Sequence, residues 1–239
     1  MQLEEIKQLV IQTKNIYIIP ENKGPENISC ALALFYTLKE LGKNVNLVID
    51  TLPDNLKFLI PSLDFVSYPK NFVVSIPNKI AEVSQIYYEK GDEQLKIHLT
   101  INKGNIKKED ISFYYAESKP DLVITVGIQN FKDYLSDKLN SFGFLLDSNI
   151  LNIDNRQDNQ KFGNINLVTE TALAKTTLQV IKSISSQTFK KETATCLLAS
   201  LIFHTDNFKN QKVTAEIFEL AAMLMKEGAD LKDITSNIT

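Results

Sequence analysis

The chain has 239 residues, with 26 Lys+Arg against 29 Asp+Glu and 44% hydrophobic residues. That length allows one large domain or two small ones and a core without disulfide staples, and the composition excludes wholesale disorder. A net charge of −3 gives no global electrostatic footprint for nucleic acid.

Residues 3–13 place Leu3, Ile6, Leu9 and Val10 on one helical face. This opening, MQLEEIKQLVIQT, is not a signal peptide, and no apolar run in the chain reaches the roughly 18 residues of a membrane span. A cytoplasmic protein without a membrane partner is expected. NIYII at 15–19 is a β-rich apolar run closed by Pro20, which predicts a buried strand. PENKGPEN at 20–27 reads as a loop. A helix is predicted from about 26 to 41, with Ile28, Leu32, Phe35 and Leu38 inward and Gly42 as its stop. VNLVI at 45–49 is the next strand. Strand, loop, helix and strand at this spacing make a βαβ unit, which builds parallel sheets.

The middle of the chain changes to period-two alternation at 71–76, 83–89 and 94–101. The turn KGD at 90–92 joins the last two as a hairpin. An antiparallel insertion over about 71–118 is therefore predicted. DLVITV at 121–126 restores the buried parallel pattern, a helix follows at 130–142, and ILNID at 150–154 is a further strand. A short extended piece at 164–168 precedes helices at about 170–185, 189–203, 214–227 and 230–238. The predicted fold is α/β: a doubly wound, mostly parallel sheet of about five strands, helices on both faces and a β-hairpin insertion.

In an open parallel sheet, ligands gather at the carboxyl ends of the strands. Polar loops follow apolar strands at PENKGPE, at Gly127-Ile128-Gln129-Asn130 and at Asp154-Asn155-Arg156. Lys supplies 25 of the 26 basic residues, and Arg156 is the single Arg. It reads either as a clamp for phosphate or carboxylate or as a structural partner of Asp154 or Asp158. His204 and Asp206 read as a relocated acid–base pair or as polar residues at a helix end. His98 reads as an ordinary strand residue. Cys30 and Cys196 lie far apart, are expected to stay reduced, and sit in apolar helical runs as core. Lys103, Lys107 and Lys108 are interleaved with acids and read as a solvated loop.

Four stretches carry a resemblance. ALALFYTLKELGKNVNLV at 31–48, DLVITVG at 121–127, the pattern NID-NR-x-x-N-x-x-FG-x-IN at 152–166, and ATCLLASLIFHTDNF at 194–208 are similar to the N-terminal domain of the DHH-family phosphoesterases. EIFELAAMLMKEGADLKDI at 216–234 resembles the helix that leaves this domain. The resemblance implies a DHH-like domain over 1–212 and connecting helices over 213–239. It places a smaller substrate-contacting domain beyond them, outside these residues. The 71–118 hairpin is not part of the family's basic pattern.

The resemblance also implies phosphoester hydrolysis by two divalent metals, usually manganese, held by carboxylates and imidazoles. Carried over position by position, the family's ligands fall on Pro20, Gly24 and Glu26, on Gly127, on Asp154-Asn155-Arg156, and on His204. Only Asp154 is kept, and Glu26 is a substitute carboxylate. The expectation is therefore a degenerate centre with no catalytic residue and no metal cofactor. Glu26, Asp154, Asn155, Arg156, His204 and Asp206 are its candidate cleft residues, facing a phosphate-containing small molecule or nucleotide. One alternative is an active, rebuilt manganese site acting on oligonucleotides, nucleotides or polyphosphate. Another is a scaffold role for the hairpin, whose edge is open to strand pairing; a homo-oligomer is a separate expectation.

Overall fold

The computed structural model describes residues 2–21, 24–49, 51–66, 71–116, 119–132, 148–185 and 190–238. The chain divides into two compact units, Met1–Tyr68 with Lys119–Thr239, and Pro69–Ser118. Its first elements are α1 (Gln2–Gln12), β1 (Asn15–Pro20), α2 (Pro25–Glu40), β2 (Asn44–Leu47) and a short α3 (Leu63–Val66). Then come β3 (Asn71–Ser75), β4 (Ala81–Lys90), β5 (Leu95–Gly104) and β6 (Ser112–Ala116). The chain continues with β7 (Leu122–Val126), β8 (Asn149–Asp154), β9 (Ile165–Val168), α4 (Leu173–Ile184), α5 (Lys191–His204), α6 (Ala215–Lys226) and α7 (Leu231–Ile238).

The larger unit is built on a parallel sheet in the order β2-β1-β7-β8-β9. Its inner strands are buried on both faces, so they read as apolar runs rather than as alternation. Ile16, Ile18, Leu122, Ile124, Leu151 and Ile153 point into the main core with α2, α4 and α5. Tyr17, Ile19, Val123 and Ile150 point to the other face, where Phe131 and Phe162 stack with ring centroids 5.0 Å apart. Of the helix expected at 130–142, Phe131 and Lys132 are helical and Asn130 is not; residues 133–142 lie outside the described residues. Ile217, Leu224 and Ile234 bring α6 and α7 into the main core. Among the described residues no helix is long and apolar enough to cross a membrane.

Local sequence sets the ends of α2. Gly24 is its N-cap and Pro25 its first residue, a position where the missing N–H costs nothing. At the other end Gly42 takes φ +73°, its N–H bonds Lys39 O, and the Lys43 N–H bonds Leu38 O. This is a Schellman stop, and it turns the chain straight into β2.

Both cysteines are free and buried. Cys30 Sγ lies 3.1 Å from Ser200 Oγ, yet burial pushes its thiol up to about 12; burial pushes Cys196 up further. The reactive thiolate is therefore scarce at neutral pH. A disulfide reagent such as DTNB is expected to label neither cysteine in the native protein at pH 8. Labelling should follow the unfolding transition instead, and rapid native labelling would contradict this burial.

The smaller unit holds two antiparallel pairs, β3 with β6 and β4 with β5. The predicted 90–92 turn and its flanking strands are present. The register slips near Glu82–Gln85, as a β-bulge does. Strand β6 was not legible in the sequence: Ser112-Phe-Tyr-Tyr-Ala does not alternate, and it is recognised only by its pairing with β3.

Candidate functional site

The sheet reverses its strand order between β1 and β7, and the crevice beyond such a switch point is where doubly wound sheets bind ligands. The strand ends are stitched together there: Glu21 N–H donates to Val126 O at 2.9 Å and Gly127 N–H to Ile153 O at 2.8 Å. Pro20 ends β1 two residues past Ile18, the last residue of β1 in the β2 ladder, so its missing N–H costs that ladder no bond.

Asp154 ends β8 and is fully buried. Its Oδ1 accepts from the Asn155 N–H at 2.8 Å and from Arg156 Nε at 3.1 Å. Its Oδ2 accepts from Arg156 Nη2 at 3.0 Å and from Asn159 Nδ2 at 2.6 Å. Arg156 Nη2 also donates to Gly127 O. The guanidinium thus joins the ends of β7 and β8, and it neutralises the buried carboxylate. Of the two structural partners weighed for Arg156, the protein uses Asp154; Asp158 instead accepts from Gln129 Nε2 at 2.5 Å. Among the described residues Arg156 Nη1 has no hydrogen-bond partner, and the Arg156 side chain is 38% exposed.

A row of amides supports this pair from behind. Asn152 is fully buried in β8; it accepts from Thr125 Oγ1 at 3.1 Å and donates to Asn159 Oδ1 at 2.8 Å and Asn166 Oδ1 at 3.2 Å. Asn159 Nδ2 further donates to Ile128 O at 2.9 Å. Sequence reasoning left Asn152 and Asn159 without a role. The available signal was a polar residue on the alternation of a buried strand, since a buried amide must be paired.

A second pair lies at the start of α2. His204 Nδ1 is 3.0 Å from Glu26 Oε1, and the Leu173 N–H is 3.4 Å from the same oxygen. Two residues at ligand positions in the family's pattern thus contact each other. The relocated His204–Asp206 pair is not formed: Asp206 is exposed, because the chain turns away after α5. Asp206, Asn207 and Phe208 run through positive φ of 48°, 56° and 60°. Such a left-handed run is strained for Phe208 above all. Thr205 Oγ1 accepts from the Phe208 N–H at 3.0 Å, and the Phe208 ring stacks on Phe218 at 5.6 Å.

A third residue, Asn27, was also missed. A Cβ at Gly127 would lie 2.4 Å from Asn27 Cγ, and one at Gly24 would lie 2.6 Å from Asn27 Nδ2. The Asn27 amide therefore fills the space in front of both glycines, held by a 3.1 Å bond to Glu21 Oε2. Gly127 also has φ +68°, which favours glycine.

A cavity of about 500 Å3 opens beside these residues, lined by Asn155, Arg156, Lys175, His204, Lys212 and Thr214, with Ile217 and Leu220 as an apolar wall. Glu170 and Glu216 also line it. Lys175 Nζ sits 2.5 Å from Glu216 Oε2, and this contact holds the Glu216 carboxyl below its usual range. Lys212 has no ion-pair partner among the described residues.

The described residues at this cleft do not fit a two-metal centre. The Asp154 oxygens are saturated by donors, and one of those donors is a permanent cation. The positions of two further ligands are glycines backed by Asn27. Among the described residues no three His, Cys, Asp or Glu side chains converge.

No family model and no curated protein matches the sequence. Among solved structures, an exopolyphosphatase-related protein from Bacteroides fragilis superposes with a TM-score of 0.68 at 17% identity, over 99% of this chain and 59% of that one. Exonuclease RecJ bound to manganese matches with a TM-score of 0.45 at 14% identity, over 95% of this chain and 47% of that one. The chain thus spans less than two thirds of either protein. The likeness is one of fold: the chain shares its α/β fold with that exopolyphosphatase-related protein.

Proposed function

We propose that this protein is a catalytically degenerate member of the DHH-like phosphoesterase fold, one that binds a phosphate-bearing small molecule or nucleotide in the old cleft without hydrolysing it. The observation that carries the reading is Arg156. Its guanidinium stands at the joined ends of β7 and β8, forked onto Asp154, with Nη1 left over beside the cavity. A guanidinium held in plane by a buried carboxylate aims its remaining Nη1 N–H at a phosphate oxygen in a fixed direction, which a flexible ammonium does not. Lys212 adds a second cation on the cavity wall, and Ile217 with Leu220 offers an apolar surface for a base or acyl group. Two buried, unpaired thiols support a reducing, cytoplasmic setting.

The test is calorimetric titration with manganese, inorganic phosphate, AMP and ATP, alongside a phosphodiesterase assay. No tight two-site manganese binding and no hydrolysis are expected, while a phosphate-bearing ligand binds. A charge-assisted contact is worth about 1.5–3 kcal/mol, so Lys212→Ala should weaken that ligand roughly tenfold or more. Lys212 lies outside the Asp154 network, so the loss does not confound binding with folding. Two tight manganese sites, turnover, or equal affinity in both proteins would overturn the reading.

A further inference from the structure

Exposed large apolar side chains are unevenly placed. Among the described residues ten of the fifteen lie within 71–116. In the β4–β5 ribbon they are sorted by face. The pairs Ile86↔Leu99 and Tyr88↔Ile97 share one face with Leu95 and Ile101. The opposite face carries Tyr87 stacked on His98, centroids 4.5 Å apart, and Glu89 opposite Lys96. A lone two-stranded ribbon is marginal in water, and a continuous apolar face along it marks an interaction surface.

We propose that this face is where two copies of the chain associate, their ribbons laid face to face and antiparallel about a two-fold axis. The first argument is area. Ile86 is 71% exposed, Tyr88 72%, Leu95 63%, Ile97 56% and Ile101 38%. A fully exposed residue of this size presents on the order of 200 Å2, so these five offer about 600 Å2 per copy. Doubled by symmetry, about 1,200 Å2 reaches the lower end of specific, stable interfaces.

The second argument is charge. Residues 69–118 hold seven Lys and seven Asp+Glu. A neutral segment does not repel its own copy, and it gives no attraction to nucleic acid or an anionic membrane. The charge is also polarised. The turn end, residues 89–96, carries a net −1; residues 79–82 and 103–110, at the other end of the ribbon, carry a net +1. These ends are separated by a ten-residue strand, about 33 Å. An antiparallel two-fold overlay brings each acidic turn onto the partner's basic end, whereas a parallel overlay stacks like on like.

Sedimentation velocity of the full chain over a hundredfold range of concentration tests this. A dimer is expected for the wild type. Ile86→Lys with Ile97→Lys should raise the dissociation constant at least tenfold, while Tyr87→Lys, on the opposite face, leaves it within twofold. Tyr88→Ser, which adds no charge, should weaken the dimer in the same direction, and thermal melts should show every variant folded. Asp92→Lys with Glu93→Lys should weaken association, and Lys107→Glu with Lys108→Glu in the same chain should restore it. A monomeric wild type, or a dimer indifferent to the face variants, would overturn the proposal.

Discussion

Arg156→Leu is expected to lower the unfolding free energy by about 2–4 kcal/mol. Removing one partner of a buried ion pair costs about 3–5 kcal/mol, because the other charge is stranded. The expected value is shifted about 1 kcal/mol below that range because Asp154 keeps the Asn155 N–H and Asn159 Nδ2 as donors, and because Arg156 is partly solvated. Urea unfolding at constant m-value measures the change. Adding Asp154→Asn to the same chain removes the stranded charge, so the double variant should recover at least half of the loss. A loss under about 0.5 kcal/mol for Arg156→Leu would mean that the fork on Asp154 holds nothing together.

Gly127→Asp, which puts a carboxylate at the end of β7, is expected to destabilise by about 2–5 kcal/mol. Two costs add. The new Cβ falls 2.4 Å from Asn27 Cγ, and overpacking of that kind costs about 1–3 kcal/mol. The residue must also hold φ +68°, for about 1–3 kcal/mol more, at the lower end for Asp. Asn27→Gly in the same chain should relieve the clash but not the backbone strain. A double-mutant cycle then shows a coupling above about 1 kcal/mol. Additive losses would mean that Asn27 does not occupy that space. Installing a manganese centre here would require emptying the Asn27 position and freeing Asp154, besides adding ligands.

Much of the fold was legible because period and burial agree. NIYII and DLVITV are apolar runs without alternation, and the sheet does bury both of their faces; ILNID is buried as well, with Asn152 and Asp154 on one of its faces. The 90–92 turn announced β4 and β5. What the sequence concealed was partnership. Strand β6 has no pattern of its own and exists through β3. At the site, the sequence supplied Glu26, Asp154, Asn155, Arg156 and His204, but not the pairing of Glu26 with His204 across 178 residues. Nor did it give Asn27 a role, because a single Asn on a helix has no local signature. Asp206 was read with His204 either as an acid–base pair or as polar residues at a helix end, and its exposed position just past α5 matches the second. Long-range contacts of single polar residues leave no periodicity to read, whereas apolar cores do.

The register of β1 against β7 has a consequence for how the chain assembles. Ile16 pairs with Leu122, more than a hundred residues away, and the whole β3–β6 segment lies between them. Closing a loop that long costs little more than closing a shorter one, since each doubling adds only about 0.6 kcal/mol. The insertion is thus cheap at equilibrium and expensive in time: sheets closed by distant pairings fold slowly. During synthesis β1, α2 and β2 emerge first, and the centre of the sheet waits for β7. Until then the edge of β1 that β7 will cover is bare, and the apolar ribbon has already left the ribosome.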